Sequence, residues 1–201
     1  MRYLLFYKPF EVMSTFTDTE GRKTLRDFIE VKDVYSAGRL DYDSEGLLLL
    51  TDDGEVIHRL TDPKFDHPKT YLAQVEGVAT EEAARQLREG VILRGEKTKA
   101  AEAEIVTDPP APLRPVRDYH PTTWLKVVLR EGKKRQLRRM TAAVGLPCLR
   151  LVRVGIGPLT LGELQPGQWR WLTAGEEAEL LEFVGLKGTA KARRTQRKID
   201  G

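Results

Sequence analysis

Gly38-Arg39-Leu40-Asp41-Tyr42-Asp43-Ser44-Glu45-Gly46 runs directly into Leu47-Leu48-Leu49-Leu50-Thr51, and this junction decides the fold. The first nine residues are polar and bounded by glycines, so they read as a loop. The leucine run that follows reads as a buried strand, closed by the turn Asp52-Asp53-Gly54. A short helix over 54–60 is expected next, stopped before Pro63. Upstream, residues 3–7 read as a short buried strand that Pro9 ends, and residues 24–29 as one or two helical turns. Residues 34–37 form a short strand candidate, closed by Gly38. A rigid apolar strand that presents a polar loop is a sound way to hold a reactive carboxylate, here Asp41. On composition alone, a turn-forming role for Asp41 is favoured over catalysis by about two to one.

Downstream the period changes to two. Tyr71, Ala73 and Val75 alternate with Leu72, Gln74 and Glu76 from Thr70 onward. Thr80 is a good N-cap, Glu81 and Glu82 suit a first turn, and Ala83, Ala84 and Leu87 give a helical stripe to Glu89. Residues 91–93 and 99–106 look like strands, and 108–112 like a loop. A strong strand spans 122–130, with Thr123, Leu125, Val127 and Leu129 on its more apolar face. A helix is expected over 133–144, ended by Gly145 and Pro147. A strand over 148–156 follows, then a helix from Thr173 to Phe183 with Glu176 in capping-box position. The fold class is α+β: a mixed, mostly antiparallel sheet flanked by helices.

The chain has 201 residues, 33 Lys+Arg against 30 Asp+Glu, three His and one Cys. Its net charge of +3 conceals strong segregation. Residues 110–160 carry eleven basic and two acidic residues, a block of +9, and residues 187–201 reach +5, leaving −11 elsewhere. Such a field recruits polyanions even when the whole chain is near neutral. The plainer reading is a set of solvated or ion-paired side chains. The tail 187–201 has one large apolar residue, Ile199, and is expected to be disordered. The lone Cys148 excludes a disulfide framework and fits a reducing compartment. No apolar run reaches the roughly 18–20 residues of a membrane helix, and the N-terminal apolar stretch is too short for a signal peptide.

His58, His67 and His120 lack ligand-like spacing, so no metal is expected. Gly155-Ile156-Gly157-Pro158 lacks the spacing, lysine and strand-to-helix context of a phosphate loop. Cys148 reads as a small core residue. What remains is a loop-borne carboxylate and a basic helix carrying Leu137, Met140 and Val144 on one stripe, with Arg135, Arg138 and Arg139 around it.

At these residues the chain resembles a known family. The stretch 38–54 is similar to the signature of RNA pseudouridine synthases of the branch acting on small- and large-subunit rRNA. Lys69-Thr70-Tyr71 matches a second motif, and Leu129-x-Glu131-Gly132-x-x-Arg135-Gln136-Leu137-Arg138-Arg139-Met140 a third. A fourth begins at Leu151-x-Arg153-x-x-Ile156-Gly157-Pro158-Leu159 and continues through Leu161, Gly162, Leu164, Pro166, Gly167 and Trp169. Together they cover nearly everything from Tyr3 to Thr173. Departures are small: Tyr7 stands where Asn is usual, Ser44 for Thr, and Asp52 for Asn.

The resemblance implies a catalytic domain over 1–186, with a small lobe to about residue 60, a larger lobe beyond it and a central cleft. Relatives often carry a small RNA-binding module before the Lys-Pro motif. Here that motif starts at Lys8, so no separate module is expected. The implied reaction isomerises uridine to pseudouridine without a cofactor, in the cytoplasm, by a monomer acting on 23S rRNA, in domain V. A sibling target in other rRNA or tRNA, or a non-catalytic RNA-binding or ribosome-assembly role, are the competing readings. By the same resemblance Asp41 is the catalytic carboxylate, Tyr71 stacks on the uracil, and Arg138 pairs with the carboxylate. Leu137 packs against the base and Arg39 fills the space it leaves. Lys8, Lys133, Lys134, Arg135 and Arg139 are the further RNA contacts expected.

Overall fold

A computed structural model describes residues 1–107 and 120–186. The loop expected at 108–112 and the tail 187–201 lie outside the described residues, as do Arg114 and Arg117.

The strands are β1 (Tyr3–Lys8), β2 (Tyr35–Ser36), β3 (Glu45–Thr51), β4 (Lys69–Glu76), β5 (Ile92–Leu93), β6 (Glu96–Lys97), β7 (Glu102–Val106), β8 (Thr122–Leu129), β9 (Cys148–Ile156), β10 (Leu159–Thr160) and β11 (Trp169–Trp171). The α-helices are α1 (Gly54–Thr61), α2 (Glu81–Glu89), α3 (Gln136–Ala143) and α4 (Ala174–Phe183). The main sheet runs β11-β1-β3-β9-β4-β8-β7, with β2 beside β3 and β10 beside β9. Among the described residues every pairing is antiparallel except β3 with β9, which meet through only Glu45↔Val152 and Gly46↔Arg153. The α+β reading is therefore borne out.

Burial explains the sequence patterns. All six residues of β1 and all seven of β3 are buried, because both faces of this half of the sheet are covered. On one side Leu5, Leu47 and Leu49 pack with Val56 and Leu60 of α1 and Leu180 and Leu181 of α4. On the other, Leu4, Phe6, Leu48 and Leu50 pack under Leu25, Ile29 and Val34. Each fully buried leucine stabilises the fold by about 1.5–3 kcal/mol relative to exposure. The second half alternates: Ala73, Val75, Leu125 and Val127 face Ala83 and Leu87 of α2 and Leu137 and Met140 of α3.

Capping fixes the helix starts as expected. Thr80 accepts from the Ala83 N–H, and Thr173 with Glu176 forms a complete capping box. Asp53 caps α1 and also accepts from the Tyr3 hydroxyl at 2.6 Å.

The differences are local. The helix expected from residue 133 begins at Gln136, because no side chain of 133–135 caps it and Arg135 adopts a left-handed conformation (φ 51). The Gln136 side chain instead turns back to accept from the Lys133 N–H at 2.9 Å. The strand expected over 99–106 starts only at Glu102. The segment at 91–93 pairs with β6 through a two-residue turn, Arg94-Gly95, both at positive φ. The strand expected over 34–37 shrinks to β2, and β10 and β11 are additions.

Candidate active site

The loop carrying Asp41 sits at the place where the two halves of the sheet meet. Beneath it, Arg150 pairs with Glu45 through Nε and Nη2 (2.9 and 2.7 Å), both side chains fully buried. Arg153 Nε donates to the Leu47 carbonyl at 2.8 Å. Gly46, at φ +106, lets β3 approach Arg153 so closely that a Cβ there would overlap the Arg153 backbone.

Segment 8–14 clamps the loop from its own side. Ser14 Oγ donates to the Leu40 carbonyl (2.8 Å) and accepts from the Leu40 N–H (3.0 Å), both buried. Glu11 N donates to the Tyr42 carbonyl at 3.0 Å. Lys8 Nζ donates to the carbonyls of Pro9 (2.8 Å), Val12 (2.7 Å) and Tyr42 (3.4 Å). The turn is closed by Ser44 N donating to the Asp41 carbonyl at 3.0 Å. The Asp41 side chain carries no hydrogen bond among the described residues.

The loop forms one wall of a cleft of about 560 Å³. Asp41, Arg39, Tyr71 and Leu137 all line it, with Lys133, Lys134 and Arg135 along the far wall. Residues more than 90 positions apart thus converge on one hollow. A larger hollow of about 790 Å³ lies on the opposite face of the sheet, against Leu72 and Val152, and contains none of the expected site residues.

Two expectations, for Lys8 and Arg138, are corrected by the geometry. Lys8 is fully buried and occupied by carbonyls, so it fastens the loop and does not reach RNA. Burial lowers its ammonium to about 8, against the raising pull of Glu45, Asp43 and Asp41. Arg138 does not sit on Asp41. Its Nη2 donates to the Asp43 carbonyl (2.8 Å) and lies 3.5 Å from the Asp43 carboxylate, while Nη1 donates to the Cys148 carbonyl (2.9 Å). Arg139 is half-buried and lies outside the cleft lining, which leaves its expected RNA contact as an expectation. Sequence reasoning missed Ser14 and Asp43, and Asp43 had the one available signal of lying inside the quoted loop.

Lys133 also pairs with Glu96 at 2.7 Å. Cys148 packs against the second core, and burial pushes its thiol up to about 11, which fits a core residue and not a nucleophile. Among the described residues, no three His, Cys, Asp or Glu side chains come together as a metal-binding group.

Replacing Lys8 with Met is expected to cost about 2–3 kcal/mol at pH 7 in urea unfolding, because buried carbonyls lose their donor. Between pH 8 and 10.5 the folded protein has released the Lys8 proton while the unfolded chain still holds it. Wild-type stability therefore gains on the variant's across that window. A gap that stays constant there would mean that burial does not depress the ammonium.

Residues 2–143 match the RNA pseudouridylate synthase family. The chain belongs to that family and is a pseudouridine synthase, an isomerase of RNA uridine. Among its relatives, the ribosomal large subunit pseudouridine synthase E of Vibrio vulnificus is 52% identical over 174 residues, covering 84% of this chain and 74% of that one. The protein of the same name from Xanthomonas campestris pv. campestris is 50% identical over 175 residues, covering 83% and 93%. A crystal structure of a pseudouridylate synthase superposes with a TM-score of 0.77 at 34% identity, covering 89% of this chain and 73% of that one.

Proposed function

We propose that this chain converts one uridine of 23S rRNA to pseudouridine, with Asp41 as the catalytic carboxylate acting on a flipped-out base. The observation that carries the reading is the convergence of Asp41, Tyr71 and Leu137 in one cleft rimmed by Arg39, Lys133, Lys134 and Arg135. The rRNA target is supported by the names of relatives at about half identity. The catalytic unit is residues 1–186, acting as a monomer in the cytoplasm. No described helix is long and apolar enough to cross a membrane.

The reaction breaks the N1–C1′ bond of uridine, turns the uracil and joins its C5 to C1′. C5 then gives up its proton and N1 gains one, so nothing is oxidised or hydrolysed. A carboxylate serves each route to that outcome: attack on C1′, addition to C6, or removal of the C2′ proton to give a glycal. Tyr71 offers a ring on which the uracil stacks, Leu137 an apolar wall, and Arg39 a side chain to occupy the vacated stack. Flipping the base costs a few kcal/mol, which phosphate contacts along the basic rim offset.

The direct test maps pseudouridine in total rRNA and tRNA from cells with and without the gene. A 23S modification lost with the gene is the expected result, and unchanged rRNA would overturn the target. Lys134, exposed on the rim, is expected to contact phosphate. Lys134→Ala should weaken binding evenly across RNA sequences and reduce the slope of log K against log salt by about 0.7–1. An unchanged slope would remove Lys134 from the interface.

A further inference from the structure

Two residues past Asp41, a second carboxylate ties the loop to the opposite wall. Asp43 accepts from Arg135 Nη1 and Nη2 at 2.8 and 2.9 Å, a two-pronged planar pair. Arg138 reaches the same residue through its carbonyl and carboxylate. Burial raises the Asp43 carboxyl, but the Arg135 hydrogen bonds and the charges of Arg138 and Arg135 outweigh it, holding the group below its usual range. The other anchors of the loop, Lys8, Glu11 and Ser14, all belong to the half of the molecule that carries the loop. Asp43 alone among them reaches α3, which carries Leu137. Arg135 itself sits at φ 51, a conformation that costs a non-glycine residue about 1 kcal/mol and persists where the surroundings fix it.

We propose that Asp43 is a positioning residue for the isomerisation: its grip on Arg135 and Arg138 sets Asp41 at a fixed distance from Tyr71 and Leu137 across the cleft. This rests on the reading of Asp41 as the catalytic carboxylate. It also assigns Arg135 to holding the loop, in place of the phosphate contact expected from sequence. A displacement of about 1 Å at a reacting group costs on the order of 100-fold in rate, so a lost anchor shows in turnover.

The test uses the full-length protein and total RNA from cells lacking the gene, on which the wild type restores the modification. Asp43→Asn is expected to lower kcat by about 10–100-fold with KM within about threefold. Asp43→Glu should recover part of that loss, because it keeps the charge. Arg135→Met should show a similar loss, and combined with Asp43→Asn should add little, since both remove one interaction. Wild-type kcat in Asp43→Asn overturns the proposal. So does a loss confined to KM, or tighter RNA binding at unchanged kcat, which would return Arg135 to phosphate. If Asp43→Asn unfolds, Asp43→Glu and Arg135→Met decide: wild-type kcat in Arg135→Met overturns it. Asp41→Asn run beside these separates the two claims. An inactive Asp41→Asn with a fully active Asp43→Asn removes only the positioning role, whereas an active Asp41→Asn removes the catalytic reading itself.

Discussion

Asp41→Asn is expected to fold and bind RNA as the wild type does, but to form pseudouridine more than about 10⁴-fold more slowly. An amide is nearly isosteric with a carboxylate, so the cleft keeps its shape. It lacks the charge and basicity that attack on C1′, addition to C6 or removal of a proton each require. The Asp41 side chain carries no hydrogen bond among the described residues, so the substitution removes none. Stability should stay within about 0.5 kcal/mol. The measurement is tritium release from RNA labelled at uridine C5, with RNA affinity and thermal midpoint determined on the same preparation. Retained turnover would take Asp41 out of the chemistry whichever route operates.

Gly46→Ala should unfold the protein far more readily than any substitution of its size elsewhere in the core. An added Cβ meets the Arg153 amide nitrogen at 2.7 Å and overlaps its carbonyl oxygen, and the φ of +106 is one that alanine rarely adopts. Backbone on both sides leaves no flexible side chain to yield. Relief requires β3 and β9 to separate at one of their two paired positions, beside the buried Glu45–Arg150 pair. A loss of about 4 kcal/mol or more is expected, lowering the thermal midpoint by roughly 10 °C. A midpoint within 3 °C of wild type would mean that the two halves tolerate separation there.

Much of this architecture is legible locally. The apolar run of β3, the alternation of β4 and β8, the Thr80 cap and the Thr173–Glu176 box all depend on neighbours in sequence, and the structure has them. What escaped depends on distant partners. β11 pairs with β1, more than 160 residues away, and its Trp-Arg-Trp has no period to betray it. The Arg94-Gly95 turn needed attention to backbone conformation, since the flanking strands are two residues each. Of the cleft residues, Asp41 stands out as a carboxylate on a polar loop ahead of a buried strand, whereas the roles of Tyr71 and Leu137 come from the family resemblance. Lys8 illustrates the opposite error: residue type says that it can donate, and only the fold says that it donates to carbonyls under the loop. Likewise Arg138 is an arginine awaiting a carboxylate, and the structure supplies Asp43, 95 positions away.

The parallel contact between β3 and β9 has a consequence for how the molecule loses its activity. One side of the cleft that holds Asp41 is furnished by each half, and two residue pairs bridge them in the sheet. Neither half holds a working fragment of the site. Local opening of either side is therefore expected to end turnover before the fold as a whole is lost, so that activity falls ahead of the spectroscopic unfolding signal on heating.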